Sequence, residues 1–192
     1  MNKVFGIGLN KTGTKTLGAC LVHFGYKHKS VDVPAFELYK KGDLNGLFEI
    51  IYKYDSFEDW PWPLIYKEVD EKFPDSKFIL TIRKTPEIWY KSLCRHAEYY
   101  GPGKYRKHIY GFEWPHKHKQ HHLAFYDKHV EDVTDYFKSQ PEKLLIVCWE
   151  NGDGWEKLSS FLGVDCPKIP LPHTNKRRSK MEVLTNRIRK FL

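Results

Sequence analysis

The N-terminal segment joins an apolar run, a glycine-bearing loop and an amphipathic helix with no spacer between them. Residues 3–8 are mostly apolar, which predicts a short buried strand. Residues 14–24 place Leu17, Leu21 and Phe24 on one helical face. A strand that leads through a short loop into a helix is the first half of a parallel α/β unit, so this order constrains the fold more than any other feature.

Two later apolar runs repeat the pattern. Residues 77–83 predict a second strand and residues 144–148 a third, and a helical pattern follows each of them. Thr85 suits the N-cap of the helix after the second strand, and Pro86 suits its first position. Strands that alternate with helices predict an α/β fold of three layers, α/β/α, with a central, mainly parallel sheet.

The remaining segments follow from the spacing of apolar residues and are placed less closely. They comprise one or two helices within 26–60, a break at 60–63, a helix at about 64–73, an irregular basic stretch at 101–122, helices at about 123–137 and 154–162, and a last helix opened by a capping box from Ser179 to Glu182. No internal repeat is visible. We therefore expect one domain over residues 1–192.

The net charge of +8 favours anionic partners such as nucleotides, sulfated glycans, nucleic acid or acidic lipid. No nucleic-acid motif is present, and the cations are not concentrated in one helix. No apolar run approaches the ~18–20 residues that cross a bilayer, and the N-terminus lacks a signal peptide's hydrophobic region. We expect a soluble, unprocessed, cytoplasmic protein without nucleic-acid or membrane partners, whose oligomeric state stays open.

The loop after the first strand has the composition of an anion cradle. Residues 8–16 combine two glycines, two lysines and three threonines directly before a helix N-terminus. The run misses the Walker A pattern by its register, because Thr14 stands where that pattern requires lysine. It predicts a phosphate-binding loop, with an ordinary strand-to-helix turn carrying solvated lysines as the alternative.

Residues 11–16 resemble the 5′-phosphosulfate loop of the sulfotransferases that use PAPS (3′-phosphoadenosine-5′-phosphosulfate), with Lys15 in place of the more usual threonine. Downstream, Arg83 at a strand end and Ser92 on the next helix occupy the places where this family binds the 3′-phosphate. Arginine suits that role because its planar fork bonds phosphate bidentately. The resemblance implies that the donor's phosphosulfate is held by Asn10, Lys11, Thr12, Gly13, Thr14, Lys15 and Thr16.

Two further stretches resemble the compact branch of this family, so the similarity spans most of the chain. Residues 144–164 resemble its strand, acidic turn, Gly-Trp helix and Phe-Leu-Gly-Val ending, and residues 170–177 resemble its Pro-His-x-Asn loop. The resemblance implies a P-loop NTPase-like sulfotransferase architecture. It also implies that Asn175, Lys176 and Arg177 fold over the 3′-phosphate and adenine, with a basic solvated connection as the alternative.

Sulfuryl transfer depends mainly on positioning and electrostatics, so no metal is expected. Lys11 would stabilise the departing phosphate, with Lys15 as a second candidate. The acceptor, an unidentified small molecule or glycan with a hydroxyl or amine, needs a base within hydrogen-bond reach. By resemblance that base is Asp59, which precedes a proline-containing segment, and Glu68 and Glu58 are its rivals.

Two other interpretations stay open at this point. A P-loop kinase or NTPase using ATP and magnesium is the main alternative, although it would need lysine in place of Thr14 and an aspartate rather than Arg83 at the strand end. The second concerns a histidine cluster, which could be a metal site, a basic loop facing the acceptor or a solvated surface. Its members are His116, His118, His121 and His122.

Overall fold

The computed structural model describes residues 2–172, and its centre is a five-stranded parallel sheet. The strands are β1 (Val4–Gly6), β2 (His28–Lys29), β3 (Ser56–Phe57), β4 (Lys77–Thr81) and β5 (Leu144–Val147). They lie in the order β2-β3-β1-β4-β5, and all four pairings are parallel. Phe5 pairs with Phe57 on one side and with Phe78 on the other, so β1 is central.

Helices connect the strands and cover the sheet. They are α1 (Thr14–His23), α2 (Val33–Lys40), α3 (Leu44–Ile51), α4 (Tyr66–Lys72), α5 (Pro86–Tyr100), α6 (Lys104–Tyr110), α7 (Lys119–Tyr136) and α8 (Trp155–Leu162). At the start of α5, the side chain of Thr85 accepts a hydrogen bond from the N–H of Ile88, with Pro86 in the first helical position. This confirms the N-cap that the sequence predicts.

The strands are apolar on both faces because alternate side chains point to opposite sides of the sheet. Phe5 and Phe78 belong to the core on one face, which α2, α3, α4 and α7 complete. Val4 and Ile79 belong to the core on the other face, which α1 and α8 complete. Helices on both faces of a parallel sheet confirm the predicted three-layer α/β architecture.

A third, largely aromatic cluster lies beyond the carboxyl end of β1. It brings Leu9 together with aromatic side chains from four helices, namely Phe36 of α2, Trp89 of α5, Tyr110 of α6 and Tyr126 of α7. The chain leaves β1 towards β2 on one side and leaves β4 towards β5 on the other. Open α/β sheets bind ligands at such a reversal, so the ends of β1 and β4 are the expected place for a site.

Several sequence predictions need correction. The short strands β2 and β3 were missed because two residues are too few to show an alternating pattern. The stretch 101–122, which the sequence predicts to be irregular, contains α6 and the first residues of α7. Tertiary packing overrides the weak local pattern here, since Arg106 and Tyr110 of α6 are buried. The predicted helix opened by Ser179 lies outside the described residues.

Within residues 2–172 no helix is long and apolar enough to cross a bilayer.

Candidate active site at the carboxyl ends of the strands

The loop between β1 and α1 turns through two left-handed residues. Lys11 has a φ of 73° and Gly13 a φ of 95°. A turn of this kind aims successive N–H groups towards one concave side, which is how backbone nests bind anions. The first turn of α1 contains no acidic residue, and Gly13 at the N-cap position has no side chain that could cap the helix. The helix N-terminus therefore presents its amides and its positive dipole end to the site.

Threonine and glycine fasten this loop to the neighbouring strand β4. The buried hydroxyl of Thr12 lies 2.6 Å from the carbonyl oxygen of Leu9 and 2.6 Å from the hydroxyl of Thr81. A side chain on Gly8 would overlap Thr81, so only glycine allows this approach. The hydroxyl of Thr12 thus shapes the loop from inside the fold and is engaged there.

Asn10 fixes the outer side of the same loop to two helices. Its carbonyl oxygen accepts a hydrogen bond from the indole Nε1 of Trp89 at 2.9 Å. Its Oδ1 accepts one from the hydroxyl of Tyr110 at 2.8 Å. Asn10 is itself buried, so it holds the loop in place beneath α5 and α6.

The other predicted loop residues divide between the surface and the interior. Lys15 is exposed, whereas Lys11 is half-buried. Thr14 is buried, and its side chain contributes to lowering the pKa of Glu58. The amide of Thr16 donates to the carbonyl oxygen of Gly13 at 3.0 Å, as the first turn of a helix requires.

Arg83 comes directly to this loop from the end of β4. Its Nη1 lies 3.5 Å from the carbonyl oxygen of Lys11, although the two residues are 72 positions apart. Its backbone N–H donates to the hydroxyl of Tyr126 at 2.8 Å. Its Nε is buried and has no acceptor within the part of the chain that the structure describes. The structure therefore brings the predicted loop and the predicted arginine together.

Ser92 lies on α5, one helical turn after Trp89. The spacing of three residues places the two side chains on the same side of that helix. Since Trp89 donates to the loop residue Asn10, this side of α5 faces the loop. Ser92 is half-buried there. The predicted residues Asn175, Lys176 and Arg177 lie outside the described residues.

Asp59 follows β3, the strand on the other side of β1, and has a left-handed backbone with a φ of 65°. Its Oδ1 accepts a hydrogen bond from the N–H of Trp60 at 2.9 Å. Burial and the adjacent charge of Glu58 raise the pKa of Asp59 to about 7, against the opposing effects of that hydrogen bond and of Lys11 and Lys15. A carboxylate with this pKa is a competent base near neutral pH.

Glu58 points into the protein and is only 1% exposed. Its Oε1 accepts a hydrogen bond from the hydroxyl of Ser30 and lies 3.8 Å from Nε2 of His28. Burial opposes ionisation, but the neighbouring side chains of His28, Ser30 and Thr14 hold the pKa of Glu58 below its ordinary value. Glu58 is thus an internal charge next to Asp59.

Glu68, the other rival for the role of base, lies in the first turn of α4. Its charge raises the pKa values of Tyr39, Tyr66 and Tyr136, after the larger effects that act on each of them. Tyr66 and Tyr136 pack in the core that α4 and α7 cover, whereas Tyr39 also packs against the cluster around Leu9. Lys11 and Lys15 of the loop lower the pKa of Asp59, which favours Asp59 as the carboxylate beside the loop.

The histidine cluster does not converge on one point. His116 pairs with Glu98 at 3.0 Å, and the ring of His118 stacks on Phe112 at 3.4 Å. His122 is fully buried, with its Nδ1 2.7 Å from the carbonyl oxygen of His118. Among residues 2–172 no group of three or more histidine, cysteine, aspartate or glutamate side chains is arranged to hold a metal ion.

Sequence reasoning missed three residues at this site. Trp89 and Tyr110, which hold Asn10, sit in aromatic-rich segments whose pattern is equally typical of ordinary core packing. Glu150 binds the guanidinium of Arg83, with its Oε1 2.6 Å from Nη2. The position of Glu150 just after β5 is the one sequence signal for it, since carboxyl ends of parallel strands share one edge of a sheet.

A family model described as the sulfotransferase domain matches residues 3–105 and 103–180. These ranges include the loop, Asp59, Arg83 and Ser92. A comparison with curated proteins finds no match. The family match covers most of the chain and agrees with an all-parallel α/β fold that carries a glycine-bearing loop after its first strand. The chain belongs to the sulfotransferase domain family.

Proposed function

We propose that this sulfotransferase takes its sulfuryl group from PAPS, passes it to a hydroxyl or amine of a small-molecule or glycan acceptor, and releases PAP (3′-phosphoadenosine-5′-phosphate). The proximity of Arg83 to the loop carries the proposal, because Nη1 of Arg83 lies 3.5 Å from the carbonyl oxygen of Lys11. PAPS has two anionic groups on one nucleotide. A loop of backbone amides and a nearby arginine offer one partner for each of them.

The two anionic groups of PAPS have separate proposed partners, as the resemblance in sequence implies. The amides around Gly13 and the side chain of Lys11 bind the phosphosulfate, while Arg83 and Ser92 bind the 3′-phosphate. Asn10 and Thr12 hold the loop in the shape that this requires, since their side chains are engaged within the fold. Asn175, Lys176 and Arg177 remain a proposed cover for the 3′-phosphate and adenine.

The transfer step needs charge stabilisation on the donor side. As the acceptor oxygen or nitrogen bonds to sulfur, the bond between sulfur and the bridging oxygen of the phosphate breaks, and negative charge builds up on the departing phosphate. Lys11 and the amides at the N-terminus of α1 stabilise that charge, and Lys15 adds a positive field from the surface. The acceptor's proton passes to a base.

Asp59 is the proposed base. Its carboxylate lies at the end of the strand next to β1, where Lys11 and Lys15 act on its charge, so the base and the phosphate-binding loop belong to one site. A pKa raised to about 7 lets it hold the proton after the transfer and release it near neutral pH. Glu58 maintains that pKa by its own buried charge.

Thermal unfolding with nucleotides tests the proposal. PAP in the absence of magnesium is expected to raise the melting temperature, because a ligand that binds only the folded state stabilises it by mass action. ATP with magnesium should give little shift if the kinase alternative is wrong. Stabilisation by ATP with magnesium and none by PAP would contradict the proposal. A screen of hydroxyl and amine acceptors with labelled PAPS then identifies the acceptor.

A further inference from the structure

The guanidinium that the proposed function assigns to the 3′-phosphate already holds a carboxylate. Oε1 of Glu150 lies 2.6 Å from Nη2 of Arg83. The other oxygen, Oε2, accepts a hydrogen bond from the backbone N–H of Lys84 at 2.8 Å. One carboxylate therefore uses its two oxygens to bridge two neighbouring donors at the end of β4.

These two donors are of the kind that a phosphate uses. Proteins bind phosphate oxygens with arginine forks and with backbone N–H groups, and a carboxylate satisfies both in the same way. Nε of Arg83 is also buried and has no acceptor in the described part of the chain, so this guanidinium has bonding capacity that Glu150 does not use. A phosphate with more oxygens can satisfy donors that a carboxylate leaves unmet.

The contact can be opened without disturbing the fold. The side chains of Arg83 and Glu150 are 23% and 30% exposed, so solvent and a ligand can reach the pair. Glu150 lies in the short turn after β5, and the N–H of Cys148, at the start of that turn, donates to Asp153 at 2.7 Å. The backbone of the turn is held by this bond, while the Glu150 side chain extends from it.

We propose that Glu150 is an internal competitor for the donor's 3′-phosphate and must release Arg83 and the N–H of Lys84 before that phosphate binds. This inference rests on the proposed function, since it assumes that Arg83 binds the 3′-phosphate. Only a ligand with a 3′-phosphate can then displace the carboxylate of Glu150 from Arg83. With a nucleotide that lacks this phosphate, the ion pair between Glu150 and Arg83 stays formed.

Calorimetric titration with PAP and with adenosine 5′-monophosphate tests the competition. Glu150→Gln keeps the size of the side chain but removes its charge, and it should tighten PAP binding about fivefold, the size expected for release from one partly exposed ion pair. Binding of adenosine 5′-monophosphate should not change. Glu150→Ala should act in the same direction, and Glu156→Gln, an exposed acid in the first turn of α8, is the matched control for net charge.

A supporting role for Glu150 in phosphate binding predicts the opposite change in affinity for PAP. If Glu150 instead orients Arg83 for the phosphate, both Glu150 variants bind PAP more weakly, and weaker or unchanged binding overturns the inference. The double variant Arg83→Ala/Glu150→Gln should bind PAP no better than Arg83→Ala alone. Melting temperatures without ligand verify that each variant is folded. Absence of PAP binding by the unmodified protein would refute the proposed function itself, which is a different result from bound PAP without tightening.

Discussion

The two sides of the candidate site carry opposite charges. On the donor side, the loop after β1 and Arg83 after β4 present backbone amides and cations to an anion. On the side of β3, Glu58 and Asp59 are two adjacent carboxylates, and the first of them is almost fully buried. We therefore expect the donor side to bind a ligand that stays charged and the β3 side to hold a group that exchanges a proton.

The contrast also shows how the two sides adjust each other. Burial and Glu58 raise the pKa of Asp59, while Lys11 and Lys15 from the donor side lower it, and the balance is about 7. The cations proposed to bind the phosphosulfate thus keep the proposed base partly ionised at neutral pH. Substitutions on the donor side should therefore weaken binding of the donor, whereas substitutions on the β3 side should slow the chemical step.

The largest effect is expected from Asp59→Asn. Loss of a general base should lower kcat by about 10²- to 10⁴-fold, while PAP binding stays close to that of the unmodified protein. Steady-state kinetics and calorimetry measure the two quantities separately. Asp75→Asn, at an exposed turn, is the control, and Glu68→Gln should keep nearly full activity. A large loss in Glu68→Gln with little loss in Asp59→Asn would reverse the assignment.

Removing the donor-side cations should have the next largest effect and should act on binding. Lys11→Ala and Arg83→Ala are each expected to weaken PAP binding about 10- to 100-fold, because hydrogen bonds to charged groups contribute roughly 1.5–3 kcal/mol. The thermal shift with PAP should shrink accordingly. Lys91→Ala, an exposed cation of α5, should leave that shift unchanged. A full shift in both cation variants would separate the loop and the arginine from donor binding.

The pH dependence of activity should follow the ionisation of Asp59 alone. Asp59 acts as a base only when ionised, and its pKa is about 7, so kcat/KM should fall about tenfold for each pH unit below 7 and level off above it. Measurement from pH 5 to pH 9 at saturating PAPS tests this. The residual activity of Asp59→Asn should lose this dependence. A profile that is flat down to pH 5 would contradict the assignment.

The smallest effect is on stability and has a definite sign. The pKa of Asp59 rises from its ordinary value of 3.8 to about 7 on folding, so the folded state binds the proton more tightly and loses stability as pH rises across that interval. Asp59→Asn removes this cost. Its free energy of unfolding should exceed that of the unmodified protein at pH 8, and the difference should shrink as the pH falls towards 4. Urea unfolding at the two pH values measures the difference.

Prediction from sequence succeeded where one short segment contains the whole signal. The residues from β1 to α1 combine an apolar run, a glycine-bearing turn and helical spacing within about twenty residues, and the family match covers this segment. The strand β4 and the N-cap at Thr85 were predictable for the same reason. The strands β2 and β3 and the helix α6 were not, because pairing and burial against distant residues stabilise them.

The candidate site divides in the same way. The sequence pointed to Lys11, Asp59 and Arg83 through resemblance, but it gave no indication that Asn10 is held by Trp89 and Tyr110. Nor could the sequence show that Glu150 forms an ion pair with Arg83. These contacts join residues tens of positions apart, and no local periodicity encodes them.

By itself, the sequence determined an α/β chain with a glycine-bearing loop after its first strand, because backbone conformation over a few residues follows from glycine, proline and apolar spacing. Only the tertiary structure decided which strand ends are neighbours. The order β2-β3-β1-β4-β5 places Asp59 on one side of the loop and Arg83 on the other. That order also sets the charges around Asp59 and so its pKa, since Coulomb interactions depend on distance in space and not on separation along the chain.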